Sequence, residues 1–313
     1  MNLDREFLWL GGGVLLLLLL SSLIGWVLAR RGGDERKRAT ISNLNARTRA
    51  WWVMVAVFGL ALAAGRVGAV ALFGLLSFLA LREFVTLTPT RAGDHRTLFW
   101  AFFVITPLQY VLIAADWYGL FSILIPVYAF LFVPLRNALA GDCEQFLERT
   151  AKTQWALMVC VYCVSHAPAL LTLRIPGHEG SGAKLLFYLV LVAQLSDVLQ
   201  YVWGKTLGHR PIAPTVSPNK TWAGFIGGIL SATAVGTALW WATPFTPWQA
   251  AGMSLAVTLM GFAGGLVMSA IKRDRGVKDY GALIEGHGGV MDRIDSLCFA
   301  APVFFHLTRY FFT

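Results

Sequence analysis

The chain has 313 residues, 57% of them apolar and only 14% charged, with a mean hydropathy of +0.62. An ordinary soluble domain carries about 25% charged residues, so this composition excludes a soluble globular protein and predicts an all-α, polytopic integral membrane protein of about ten transmembrane helices. The net charge of +9 does not call for nucleic acid, because the basic residues are not gathered on a soluble face with aromatics placed for stacking.

Residues 11–29, GGGVLLLLLLSSLIGWVLA, lack a basic start and run into RRGGDERKR rather than a small-residue cleavage site. They read as a retained first span, not a signal peptide. The next apolar block, residues 51–81, is interrupted only by Arg66, which predicts two short helices meeting at that residue. Further spans are expected over residues 98–115, 118–135, 154–173, 185–203, 222–242, 248–271 and 294–312. With spans alternating in direction, the connections beginning at Arg30, Arg82, Arg136, Gly204 and Lys272 share one face. They hold 21 of the 26 Lys and Arg residues. The positive-inside rule makes that face cytoplasmic and leaves both termini external. The chain then divides into N-terminal helices (1–150) and a region (151–313) with two dense polar loops, 204–221 and 272–293. Cys143, Cys160, Cys163 and Cys298 lie in or beside apolar segments and read as packing residues, including the lone C-x-x-C.

Orientation explains residues 30–49 well, but not the two later loops. Ahead of the first, Asp197 lies inside an apolar helix, where an ionisable group marks function by default; the alternative is a buried Asp satisfied by a neighbouring helix. Tyr201, four residues on, shares its face. APTVSPNKTWAG then sets Ser217 and Lys220 just before a helix opening near Thr221, so amides, a hydroxyl and an ammonium would converge on an anion. The plainer reading is a Ser-Pro-Asn turn with a snorkelling lysine.

The second loop supplies cations from Lys272, Arg273, Arg275, Lys278 and Arg293, and hard oxygens from Asp274, Asp279, Asp292 and Asp295. Gly286, Gly288 and Gly289 flank His287 and would let backbone amides approach a ligand. This set suits a polyphosphate carried on magnesium, a metal that takes one or two carboxylates and otherwise water and phosphate. Asp292 and Asp295, three apart at a helix entrance, would share a face, or serve as N-terminal capping charges, Asp292 especially. His287 fits a hydrogen-bond donor to phosphate better than a catalytic base, since a phosphate-ester anion needs positioning and charge neutralisation more than deprotonation.

These residues resemble a known family. SAIKRDRGVKDYGALIEGHGGVMDRIDS, residues 269–296, is similar to the motif of the phosphatidate cytidylyltransferases: Ser, two residues, Lys-Arg, then Lys-Asp, His-Gly-Gly and Asp-Arg-x-Asp. APTVSPNKTWAGFIGG resembles a second stretch of that family, and the likeness runs from about Leu185 to the C-terminus. The resemblance implies transfer of a cytidylyl group from CTP to phosphatidic acid with a divalent metal. By position, Asp197 and a carboxylate of the last loop, Asp292 or Asp295, would hold Mg2+. Lys220, Lys272, Arg273, Lys278 and Arg293 would bind phosphates, with Ser217, Tyr201, His287, Gly288 and Gly289 lining the substrates. The chain departs from the pattern where Gly265 and Met268 replace acids, Ala223 follows Trp222, and Gln200 precedes Tyr201. Asp279, Asp292 or Asp295 would then serve as substitute ligands; otherwise the acceptor is altered or turnover is lost. The partners implied are CTP, phosphatidic acid and membrane lipid, with a homodimer left open. A transporter is disfavoured, because no inverted repeat is evident and the charges gather in loops on one side.

Overall fold

The computed structural model describes residues 5–30, 34–284 and 288–313, apart from the side chains of residues 35, 36 and 39. Ten helical segments follow in order, at the ten places where spans are expected: α1 Arg5–Arg30, α2 Glu35–Ala63, α3 Gly65–Thr86, α4 Ala92–Ala114, α5 Tyr118–Ala138, α6 Phe146–Thr172, α7 Gly182–Leu207, α8 Trp222–Ala238, α9 Pro247–Asp274 and α10 Met291–Phe312. Eight are long and apolar enough to cross a membrane; α8 is shorter, and α10 is the other exception. The protein is an all-α polytopic membrane protein.

The helices around Arg66 are not short. Gly65, at φ +73°, breaks the chain one residue before Arg66, and α2 extends back to Glu35. The basic segment expected as a connection is therefore mostly helical, started by the Asp34 side chain accepting from Lys37 N at 3.0 Å. A helix whose basic turns project past the apolar slab looks like a loop when only hydropathy is read.

Helices α4, α5 and α6 each contain a π-helical stretch, at Ala101–Ile105, Leu124–Ala129 and Leu157–Cys163. In α4 the stretch precedes Pro107, and the Thr106 hydroxyl donates to the carbonyl of Ala101 at 2.8 Å, joining the Thr106 amide on the same acceptor.

Four helices, α7 to α10, pack together and carry the polar loops. The α7–α8 contact depends on small residues, as is usual between membrane helices. A Cβ on Gly224 would stand 2.7 Å from Gln200 O, and one on Gly228 2.6 Å from Gln200 N. Between α7 and α8 the first polar loop forms a two-stranded antiparallel hairpin, β1 Pro211–Ala213 and β2 Ser217–Thr221, with Pro211 opposite Thr221 and Ala213 opposite Ser217. Thr221 ends β2 and caps α8, its hydroxyl accepting from Gly224 N at 3.1 Å. The cysteines are free; Cys160 and Cys298 are buried, consistent with packing roles.

Candidate functional site

Asp197 on α7, Lys220 at the end of β2, and Arg293 and Asp295 in the first turns of α10 form one cluster of charges. Asp295, Lys220 and Arg293 are the charged groups acting on Asp197. The two carboxylates are the groups acting favourably on the Lys220 ammonium. Burial is the stronger influence on Lys220 and holds its pKa below the ordinary lysine range. Its Nζ lies 4.9 Å from the centre of the Phe262 ring, and a Cβ added to Gly265 would stand 2.8 Å from it. The position where an acid was expected is thus filled by an ammonium reaching across from β2. Asp295 Oδ1 accepts from Ser296 N at 2.8 Å, whereas Oδ2 faces the Gly265 side, 3.8 Å from that same Cβ position. Arg293 Nε is buried without a hydrogen-bond partner in the protein, an orphan donor of the kind a ligand satisfies.

Asp292 takes a different course from Asp295. Its Oδ1 receives the Lys272 ammonium at 2.7 Å, and its Oδ2 accepts from Tyr280 N at 2.7 Å and Gly289 N at 3.0 Å. Both oxygens are engaged in folding the last loop, the arrangement of a capping and pairing carboxylate. Lys272 is correspondingly occupied, lying 5.4 Å above the Tyr280 ring as well. The Tyr280 hydroxyl donates to Met268 O at 3.1 Å, and burial raises its pKa above the tyrosine range. Met268 is fully buried beneath it.

The glycines of this loop also face internal carboxylates. Gly288 has φ +82°, and a Cβ there would meet Asp292 Oδ2 at 2.9 Å and Asp279 Cβ at 3.2 Å. Gly289 and Gly281 make room for Glu83, near the end of α3, whose two oxygens accept from Val290 N at 2.9 Å and Met291 N at 2.8 Å. Sequence reading missed Glu83. The available signal was an acid in the last turn of an apolar helix, where the helix dipole disfavours it.

Arg273 joins the two loops: Nε donates to Val216 O at 3.2 Å and Nη1 to Val277 O at 3.0 Å. Ser217 is half-buried in β2; Lys278 and Asp279 are exposed at the loop surface. Tyr201 lies outside the buried cluster, 58% exposed. Gly286 and His287 fall outside the described residues.

Among the described residues no three His, Cys, Asp or Glu side chains converge as a metal cage. The remaining donor set, Asp197 with Asp295, still fits magnesium, which needs only one or two carboxylates when phosphates complete its shell.

Residues 45–311 match the sequence model of the cytidylyltransferase family. The chain belongs to that family. It is 39% identical over 289 residues to the uncharacterized protein YnbB of Escherichia coli (strain K12), covering 91% of each chain. It is 39% identical over 127 residues to the phosphatidate cytidylyltransferase of Staphylococcus aureus (strain COL), 40% of this chain and 49% of that one. The phosphatidate cytidylyltransferase of Mycobacterium leprae (strain TN) is 38% identical over 170 residues, 54% of this chain and 53% of that one. The matches to enzymes named for that activity therefore span about half of each partner.

Proposed function

We propose that this cytidylyltransferase family member transfers the cytidylyl group of CTP to phosphatidic acid, giving CDP-diacylglycerol and pyrophosphate, with Mg2+ bound by Asp197 and Asp295. The observation that carries this reading is the convergence of Asp197, Lys220, Arg293 and Asp295 at one end of α7, α9 and α10. Two carboxylates and two cations balance; a divalent ion added to them leaves a surplus of positive charge to meet a triphosphate and a lipid phosphate.

Asp197 and Asp295 would hold the ion, which would supply neutralisation of charge on the nucleotide. Lys220 and Arg293 bind phosphate oxygens beside the carboxylates, and Arg273 and Lys278 add positive charge at the mouth. An oxygen of the lipid phosphate attacks the α-phosphorus of CTP, a new P–O bond forms, and the α–β bridging bond breaks with its electron pair leaving on pyrophosphate. No proton is removed from the nucleophile, so the residues act by positioning and charge. The basic connections support a cytoplasmic setting for this end of the helices, where CTP is available, with both termini external.

A second reading is favoured by the Lys220 ammonium standing against Gly265: a protein that binds CTP or anionic lipid without turnover, the tethered cation competing with metal for the carboxylates. The purified protein, given radiolabelled CTP, phosphatidic acid and Mg2+, is expected to make a chloroform-soluble product, and the Asp197→Asn variant none. CTP binding without lipid product from the unaltered protein would replace the first reading by the second.

A further inference from the structure

The first turn of α10 is capped by a residue from the other half of the chain. Val290 and Met291 present amides that the helix itself cannot satisfy, and no described side chain of their own loop takes them. Both are taken by Glu83, 207 and 208 residues earlier, one on each carboxylate oxygen. The cradle is shaped to this carboxylate. A Cβ on Gly281 would stand 2.8 Å from Oε1, and for Gly289 all three of the nearest atoms belong to the Glu83 carboxyl group, close enough to collide. Neither glycine has a positive φ, so what they supply is space. Next to Glu83, Phe84 stacks on Tyr280, with ring centres 6.2 Å apart, and Tyr280 N is tied to Asp292. The end of α3 therefore grips the last loop at two adjoining points.

Arg293 and Asp295 lie two and four residues beyond Met291 on the same rigid helix. Where the first turn of α10 is held fixes how far the Asp295 carboxylate stands from Asp197 and where Arg293 points. We infer that Glu83 is a positioning residue: it clamps the N-terminus of α10 so that Asp295 and Arg293 meet Asp197 and Lys220, which gives the N-terminal helices a direct part in the site. This rests on the proposed role of Asp197 and Asp295 in holding a divalent ion. It assigns no contact between Glu83 and substrate.

Two kinds of variant test it. Glu83→Ala removes the clamp; Glu83→Gln keeps the shape but sets an NH2 group against one of the two amides. Outer-sphere partners of metal sites typically contribute about 10–100-fold in affinity, so both should weaken Mn2+ binding to the full-length purified protein, read by electron paramagnetic resonance, by about tenfold or more. Gly289→Ala should do the same in the native background, because its methyl group displaces the carboxylate. Added to Glu83→Ala it should cost little further, since the obstructing group is gone, and that non-additivity is a readout general destabilisation does not give. Unaltered Mn2+ affinity in Glu83→Ala, even with a lower melting temperature, would make Glu83 a purely structural cap and overturn the inference. So would additive effects of the two substitutions. Failure of the unaltered protein to bind Mn2+ at all would instead remove the metal site, and with it the proposed function. Normal Mn2+ binding, weakened in Glu83→Ala, with no lipid product would sink the activity and leave the clamp standing.

Discussion

Lys272 and Asp292 form a buried ion pair, 2.7 Å between Nζ and Oδ1, with side chains 11% and 3% exposed. Such a pair contributes little net stability relative to apolar residues, but losing one partner strands a charge at a cost of about 3–5 kcal/mol. Lys272→Ala and Asp292→Ala are therefore expected to lower stability strongly before any question of catalysis arises. Lys272→Met combined with Asp292→Asn should recover part of the loss, because no full charge is left behind and the substituted side chain keeps one carbonyl oxygen as an acceptor for the loop amides. Thermal unfolding in a single detergent checks this; a double variant as unstable as the worse single one would contradict it.

Lys220 gives a pH expectation with a definite sign. Burial favours its neutral form and holds its pKa below the ordinary lysine range. The ammonium is thus present at neutral pH and lost on the alkaline side sooner than for a free lysine. If this charge binds CTP, kcat/KM for CTP, which reports the free enzyme, should fall with rising pH below the unperturbed value of about 10.4. Lys220→Arg, which does not deprotonate in this range, should move that limb upward. An alkaline limb unchanged in the arginine variant would show that another group sets it.

Gly265 and Met268, one turn apart on α9, respond differently to acids. Gly265→Asp puts a carboxylate beside the Lys220 ammonium, which can pair with it after a small shift of a flexible chain end. Met268→Glu buries an acid in a fully enclosed site, where the Tyr280 hydroxyl lies 3.5 Å from Met268 Sδ and Lys272, one turn further along α9, is already paired with Asp292. The first substitution is expected to keep the melting temperature within a few degrees. The second should reduce it markedly, since burying a charge without a countercharge costs several kcal/mol. Equal losses for the two would mean that Lys220 does not accept the new acid as a partner.

Hydropathy located the helices because a bilayer demands about 20 apolar residues per span whatever the tertiary packing. It failed at residues 35–50, where a charged helix continues past the apolar slab under the Asp34 cap. Asp197 stood out for a related reason, since an ionisable group in apolar surroundings is costly without a purpose, whereas Lys220 stood out as a cation just ahead of a helix N-terminus. Asp292 and Asp295 were not separable, since a spacing of three puts both on one face. Only the fold turns one toward Lys272 and the loop amides and leaves the other beside Lys220. Glu83 was hidden because its partners are two backbone amides more than 200 residues away, which no local pattern encodes.

That separation of the two aspartates yields the last expectation. Asp197 and Asp295 are like charges acting on one another in a buried place, so neutralising one relieves repulsion. Asp295→Asn should leave the metal-free protein at least as stable as the parent, whereas Asp292→Asn, which breaks the Lys272 pair, should destabilise it. A ligand that binds only the folded state stabilises it by about 2.7 kcal/mol at one hundred times its Kd. The parent should accordingly melt later in excess Mn2+, and Asp295→Asn should lose that gain. Asp292→Asn should start lower and retain it. The measurement is a melting curve for each of the three proteins with and without Mn2+. If Asp292→Asn were the variant that lost its response, the metal-binding carboxylate would be the one paired with Lys272, and the assignment of roles along the first turn of α10 would have to be reversed.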